Sequence, residues 1–326
     1  MIVVTGAAGF IGSNVVAALN DRGRFDVVVC DRLGSDQRWQ NLRKRMFRDF
    51  VFPEDLIAWL DGAGPVAAVI HLGANSSTTA TDGDEMVRCN FQFSRRLLDW
   101  CAARGVALIY ASSAATYGDG AQGFADGLTL GELRRLRPLN LYGWSKHQFD
   151  LVFAERLAND LPLPPKCIGL KFFNVFGANE YHKGDMRSVL AKNFAAAARG
   201  DAVQLFMSHR NDVVDGDQKR DFIHVDDVVD VLLWCLDEGP RYGLFNVGTG
   251  HATTFRELVE ALFAALGRAP AIAYVPMPQD LQPRYQYFTE APMAALRSAG
   301  YARPFTAVDL AVARYVRQLT NADPYR

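Results

Sequence analysis

The sequence predicts an α/β chain: a doubly wound parallel sheet with a smaller C-terminal lobe built from interleaved segments. Three observations carry that expectation. Short β-branched runs alternate with helical patterns through the first half, as βαβ units do when helices cover both faces of a parallel sheet. Three glycines, Gly6, Gly9 and Gly12, fall in the turn GAAGFIG between the first strand and the first helix. After residue 176 the loops lengthen and the pattern loosens, with no Gly/Ser-rich tether to mark a linker.

Taken in order, IVVT (2–5) reads as a strand, residues 11–23 as a helix closing on Gly23, and VVVCD (27–31) as a second strand. PEDLIAWLDG (53–62) opens with a proline suited to a first helical position. VAAVIHL (66–72) is a strand, residues 85–105 a long helix, and ALIYASS (107–113) a strand. In that long helix Phe91, Leu98 and Trp100 recur near helical spacing, as core or subunit packing does. Residues 141–159 carry a helical period and CIGLKFFNV (167–175) is a strand. The stretch NEYHKGDM (179–186) has neither period and reads as a connecting loop, in which Lys183 alone is an ordinary solvated charge. MSHRNDVVDGDQKRD (207–221) is polar and coreless, residues 222–237 and 242–250 return to strand and helix, and a proline-spaced loop (274–286) precedes a terminal helix.

Composition excludes several function classes. A chain of 326 residues, 49% apolar and 22% charged, suits a globular enzyme, and a net charge of −1 advertises neither nucleic acid nor an anionic membrane. No apolar run reaches membrane-spanning length, and MIVVTGAAG lacks a signal peptide's basic region. Cys30, Cys89, Cys101, Cys167 and Cys235 are scattered without CxxC spacing, so neither a zinc site nor a disulfide framework is expected. The expectation is a cytoplasmic enzyme without a metal.

The glycine turn gives the first chemistry. Glycines there permit a tight turn, close approach of backbone to a pyrophosphate and close helix–strand packing, while the helix N-terminus faces the phosphates. Asp31 ends the second strand, where an acid accepts from adenosine ribose hydroxyls. Arg32 and Arg38 beside it suit a 2′-phosphate, favouring NADP, with NAD the alternative. The fold class is therefore Rossmann-type. Residues 1–175 would form the dinucleotide-binding domain, with 221–250 returning to it, and 176–220 and 251–326 the substrate lobe.

A second constellation sits at the end of YASSAATYG (110–118) and in LYGWSK, where Tyr142 and Lys146 lie four apart on one helix face. A phenol with an ordinary pKa near 10 is a poor base at neutral pH. A neighbouring ammonium, or an oxidised nicotinamide, would favour the phenolate. Ser113 could hold a substrate oxygen against that phenol while a proton and a hydride leave an alcohol.

GAAGFIG, YASSAATYG and YGWSK resemble the extended short-chain dehydrogenase/reductase (NAD-dependent epimerase/dehydratase) superfamily, whose members act on nucleotide sugars. The resemblance runs end to end through FNVFG, RDFIHVDDV and FNVGTG. Within it, IGSN, the SSTT after HLGAN, HKG, RDF and PRYQYFT are similar to the ADP-L-glycero-D-manno-heptose 6-epimerase family. That resemblance implies inversion of C6″ of ADP-D-glycero-D-manno-heptose through a 6″-keto intermediate, for lipopolysaccharide inner-core synthesis, with NADP retained through turnover in a homo-oligomer, a pentamer. It implies that Lys183 is a second acid/base beside Tyr142 and also borders the cofactor. Phe10 and Ile11 would lie along the pyrophosphate. Leu72, Gly73, Ala74, Asn75, Ser76, Asn90 and Val175 would line the cofactor, and Lys146 its nicotinamide ribose. Asn174, Phe206, Met207, Ser208, His209, Arg220 and Tyr285 would hold substrate, with Asp185 and Lys192 at two further substrate positions.

The chain departs from that pattern in places. Asn75, Asp185, Pro53 and Lys192 replace a cysteine, serine, lysine and histidine, and the loop 208–219 is long. Two other readings stay open: another member of the superfamily acting on a UDP- or GDP-sugar, or a dinucleotide-sensing protein without catalysis. Ala114 and Ala115 stand where dehydratases place acids, which speaks against dehydration. Retention of Ser113, Tyr142 and Lys146 speaks against a silent sensor.

Overall fold

Continuous apolar strands bury on both faces, and the helices between them supply the cover. In the computed structural model, which describes residues 1–326 apart from 280, 283 and 284, the chain runs β1 (Ile2–Thr5), α1 (Phe10–Asp21), β2 (Val27–Cys30), β3 (Asp49–Val51), α2 (Leu56–Gly62), β4 (Ala68–His71) and α3 (Gly83–Met86). A π-helical stretch (Val87–Gln92) then leads into α4 (Phe93–Arg104), β5 (Ala107–Ser113), α5 (Leu130–Leu133), α6 (Leu141–Ala158), β6 (Cys167–Phe172) and β7 (Asn174–Phe176). The remainder is α7 (Val189–Arg199), β8 (Val203–Phe206), β9 (Lys219–His224), α8 (Val225–Asp237), β10 (Tyr242–Val247), β11 (Ala252–Thr254), α9 (Phe255–Ala265), β12 (Ile272–Val275), α10 (Ala294–Ser298) and α11 (Val308–Leu319).

Seven strands form one parallel sheet in the order β10-β6-β5-β4-β1-β2-β3. The chain therefore reverses direction across the sheet between β1 and β4, and the crevice beyond their C-terminal ends is where such sheets take ligands. Apolar cores lie on both faces of this sheet, one running from α1 to α8 and the other from α4 to α6. A third core, separate from these, gathers α7, α9 and α11 around Leu190, Phe263 and Tyr315. Two small sheets complete the fold, β11-β9-β7 and β12-β8.

Some local expectations are corrected. Pro53 lies in a turn, because α2 begins only at Leu56. The long helix expected at 85–105 runs continuously from Gly83 to Arg104, with a π-helical stretch at Val87–Gln92 within it. NEYHKGDM is not plain loop: Tyr181–Met186 makes short 3₁₀ turns interrupted at Gly184, whose φ is +52°. The strand read over 167–175 divides at Phe173 into β6 and β7, each in a different sheet. No helix among the described residues is long and apolar enough to cross a membrane, and none of their His, Cys, Asp and Glu side chains gather as a metal site. All five cysteines are free thiols, and four of them are buried.

Candidate active site

The glycine turn is as tight as its sequence demands. Gly6 has φ +67°, and a Cβ there would stand 2.6 Å from the Gly73 nitrogen, between β1 and β4. A Cβ on Gly12 would stand 2.0 Å from the Gly6 carbonyl oxygen, so α1 packs against the turn only because that carbon is missing. The Ala8 N–H donates to Asp31 Oδ2 (2.8 Å) and the Arg32 N–H to Asp31 Oδ1 (2.7 Å), tying the acid to the turn. Burial pushes the Asp31 carboxyl up, and those N–H groups draw it back. Arg38 reaches 3.9 Å from Asp31 but grips Asp36, with its Nη2 at 2.7 Å. Arg32 is exposed and pairs with Glu54 at 3.1 Å. A dinucleotide fits this cradle: side-chain-free backbone, a helix N-terminus and an acid with two flanking guanidinium groups.

The segment after β4 forms the other wall. Leu72 to Asn75 are half-buried and Ser76 is exposed. Asn90, fully buried in the π-helical stretch, is spent inside the protein. Its Oδ1 accepts from the Asn75 N–H (2.8 Å), and its Nδ2 donates to the Asn75 carbonyl (2.9 Å) and to Ser145 Oγ (2.9 Å). Asn90 thus fastens this wall to α6 and shapes it from behind.

Asn140 caps α6 by accepting from the Gly143 N–H at 2.8 Å, which sets Tyr142 and Lys146 in its first turns. Burial raises the Tyr142 phenol; a hydrogen bond from Ser113 draws it back, and the Asp150 charge pushes it up further. Lys146 is 4% exposed and makes no hydrogen bond or ion pair among the described residues. Burial pushes its ammonium down to about 8, against the smaller opposing pull of Asp150. At neutral pH Lys146 still holds its proton, and in the chain alone the net effect of burial leaves the Tyr142 phenol raised.

Beneath the helix lies a pair that sequence reading passed over. Asp150 and Lys171 are both fully buried, 3.0 Å apart. Asp150 also accepts from Tyr110 (3.0 Å) and Ser112 (2.7 Å), while Lys171 donates to Thr116 (2.6 Å) and lies over the Tyr117 ring. A lysine inside an otherwise apolar strand was the available signal.

Lys183 is half-buried with its ammonium 5.2 Å from the Phe10 ring centroid, at the start of α1. Burial lowers its pKa, and Glu180 opposes that. The loop is docked on the glycine turn by amides: Asn14 Nδ2 donates to the Phe10 and Ala178 carbonyls (2.9 Å each), and Asn41 Nδ2 to the Ala8 carbonyl (2.8 Å) and the Asn179 carbonyl (3.2 Å). Neither Asn41 nor Glu180 stood out in the sequence, since each resembles an ordinary polar residue there. At the loop's far end Thr78 Oγ1 lies 3.8 Å from the Met186 sulfur. Asp185 is exposed, as is Lys192 on α7.

Arg220, 7% exposed, lies between the rings of Phe255 (5.7 Å) and Tyr285 (5.2 Å) and donates to the carbonyls of Lys219 and Gln286. It makes no ion pair among the described residues, and its neighbour Asp221 accepts instead from Thr249, Gly250 and Ala291. Asn174 is exposed on β7, and Val175 beside it is half-buried. Phe206 and Ser208 are half-buried and Met207 and His209 exposed, with the His209 N–H donating to the Tyr287 hydroxyl at 2.9 Å. Of PRYQYFT, Pro283 and Arg284 lie outside the described residues.

Comparisons with known proteins follow the same lines. The model of the NAD dependent epimerase/dehydratase family matches residues 2–248. ADP-L-glycero-D-manno-heptose-6-epimerase of Nitratidesulfovibrio vulgaris is 46% identical over 100% of both chains, and that of Fusobacterium nucleatum 41% over 100% of both. The crystal structure of the Helicobacter pylori enzyme of the same name superposes with TM-score 0.78 at 26% identity, covering 98% of this chain and 95% of that one. The chain belongs to the NAD dependent epimerase/dehydratase family.

Proposed function

We propose that the chain inverts C6″ of ADP-D-glycero-D-manno-heptose to give the L-glycero isomer. Full-length relatives at 41–46% identity are named ADP-L-glycero-D-manno-heptose-6-epimerase, which supports the substrate. The observation that carries the site is the wall at residues 72–79. On one side Asn75 is joined through Asn90 to Ser145 of the Tyr142 helix. On the other, Thr78 meets Met186 in the Lys183 loop. That wall thus links the helix of Tyr142 to the loop of Lys183, two candidate proton-transfer groups from distant parts of the chain.

The chemistry needs both. The C6″ hydrogen of an alcohol is not acidic, so inversion requires passage through a ketone. A bound nicotinamide supplies the hydride acceptor and donor for that passage. Tyr142 takes the hydroxyl proton, with Ser113 holding the oxygen against the phenol. Once the sugar has turned and shows its other face, the ketone oxygen lies elsewhere, and Lys183 serves it there. Lys146 would offer its unpaired N–H donors to the nicotinamide ribose, and the charge of an oxidised ring would lower the Tyr142 phenol that burial raises. Arg220, held between two rings, offers its planar fork to the substrate diphosphate.

NADP is the cofactor we infer over NAD, on the strength of Arg32 and Arg38 beside Asp31, and it stays bound between turnovers. Residues 1–175 and 221–250 form the dinucleotide domain and the rest the substrate lobe, in a cytoplasmic homo-oligomer that serves lipopolysaccharide synthesis. Incubation with ADP-D-glycero-D-manno-heptose, followed by chromatographic separation of the diastereomers, tests the reading. Conversion to a two-isomer mixture supports it. Failure to convert that sugar, alongside turnover of a UDP- or GDP-sugar, rejects the substrate and keeps the site.

A further inference from the structure

We propose that Glu180 is a positioning residue for Lys183: its carboxylate latches the loop that carries Lys183 and presents a negative charge to the ammonium. The inference rests on the reading of Lys183 as the second acid/base.

Glu180 is fully buried, and among the described residues no lysine or arginine lies within ion-pair distance of it. Buried carboxylates normally have such a partner or a full set of donors. Here the donors come from both ends of one loop. Oε1 accepts from the Gly177 N–H (3.3 Å) and from Ser188 Oγ (2.7 Å), while Oε2 accepts from the Ser188 N–H (2.5 Å). One side chain therefore closes residues 177–188 into a ring, and Ser188 in turn caps α7 by accepting from the Ala191 N–H at 3.2 Å. From α11, the buried Tyr315 hydroxyl lies against the same carboxylate; burial first, and then the Glu180 charge, push its phenol up.

The backbone sets the relation between the two residues. The Lys183 N–H donates to the Glu180 carbonyl at 3.1 Å, a 3₁₀ turn, in which side chains three apart eclipse. The groups facing Lys183 are few. From α1 it meets the Phe10 ring, which favours a cation. From its own segment it meets Glu180 and His182, whose ring burial keeps neutral with a pKa of about 4; Asp185 points its loop position to solvent. Glu180 is the acid whose field opposes the desolvation of Lys183. A mere surface loop needs no buried acid, whereas a lysine that must hold and release a proton at a fixed point needs both a fixed loop and a counter-charge.

The test measures Lys183 directly. Competitive acetylation of the protein as purified, read by mass spectrometry across pH, gives its titration midpoint without reference to turnover. Glu180→Gln should move that midpoint to lower pH and lower kcat at least about tenfold through charge and displacement together. Ser188→Ala, which loosens the latch and keeps the charge, should lower kcat with the midpoint unmoved. Should Glu180→Gln not fold, Glu180→Asp carries the test: kcat falls about tenfold while the midpoint stays. An unmoved midpoint in Glu180→Gln, or unchanged kcat in Glu180→Asp, overturns the inference. Lys183→Ala separates the two levels. Full turnover in that variant removes the acid/base reading itself, whereas an inactive Lys183→Ala beside an unshifted Glu180→Gln removes only the role of Glu180.

Discussion

Replacing Lys146 by methionine should make the cofactor-free protein more stable at neutral pH while removing its activity. The lysine is buried, without a hydrogen bond or a counter-ion among the described residues, and its pKa falls from 10.5 to about 8. At about 1.4 kcal/mol per pH unit, charging it in the folded protein costs about 3 kcal/mol at pH 7. The sign follows from the proton balance. Below pH 8 both folded and unfolded chains hold the proton, and the whole cost is present. Between pH 8 and 10.5 the unfolded chain binds more protons, so rising pH stabilises the wild type until the cost is gone. Methionine fills a similar volume without a charge, so Lys146→Met should gain about 3 kcal/mol at pH 7, or roughly 5 °C in Tm for a chain of this size. That advantage should shrink as pH rises from 8 to 10.5. Thermal unfolding of both proteins, stripped of nucleotide, across that range is the assay. A Lys146→Met protein no more stable at pH 7, with a difference flat in pH, refutes the argument that the site stores an unpaired ammonium for its ligand.

The other expectations are brief. Lys171→Met strands the buried Asp150 carboxylate and should cost about 3–5 kcal/mol, of which Asp150→Asn in the same protein should restore a part; urea unfolding reads both. Arg32→Ala and Arg38→Ala together should weaken NADP at least about tenfold with NAD held, since a guanidinium pairs with the 2′-phosphate alone; isothermal titration of stripped protein decides it. Tyr142→Phe keeps the half-buried ring and removes the proton acceptor, so kcat should fall by about two to four powers of ten with cofactor affinity kept.

How much of this was legible in the sequence varies with the kind of signal. The parallel sheet came from apolar runs such as IVVT and VVVC, which need no long-range information. The glycine turn was readable because each glycine answers a backbone constraint, and Gly12 is confirmed by its contact with Gly6. Breaks were harder. Nothing local in CIGLKFFNV separates β6 from β7, since the change of sheet at Phe173 is made by partners far along the chain. The π-helical stretch at Val87–Gln92 has no propensity of its own and accompanies the turning of Asn90 toward Asn75 and Ser145. At the site, Tyr142 and Lys146 were visible from their spacing, but the desolvation that raises the one pKa and lowers the other is a matter of burial, which spacing does not report. Glu180 and Asn41 were invisible for the same reason: a polar residue looks solvated until the fold encloses it.

The most direct test of the central claim is proton NMR of the purified protein with ADP-D-glycero-D-manno-heptose in deuterated buffer, adding no nicotinamide beyond what accompanies the protein. The account predicts that the second diastereomer appears with protium kept at C6″, since the hydride that leaves the carbon is the one that returns. Deuterium at C6″ in the product would contradict it, because the inversion would then proceed by proton exchange with water and not through a transient ketone.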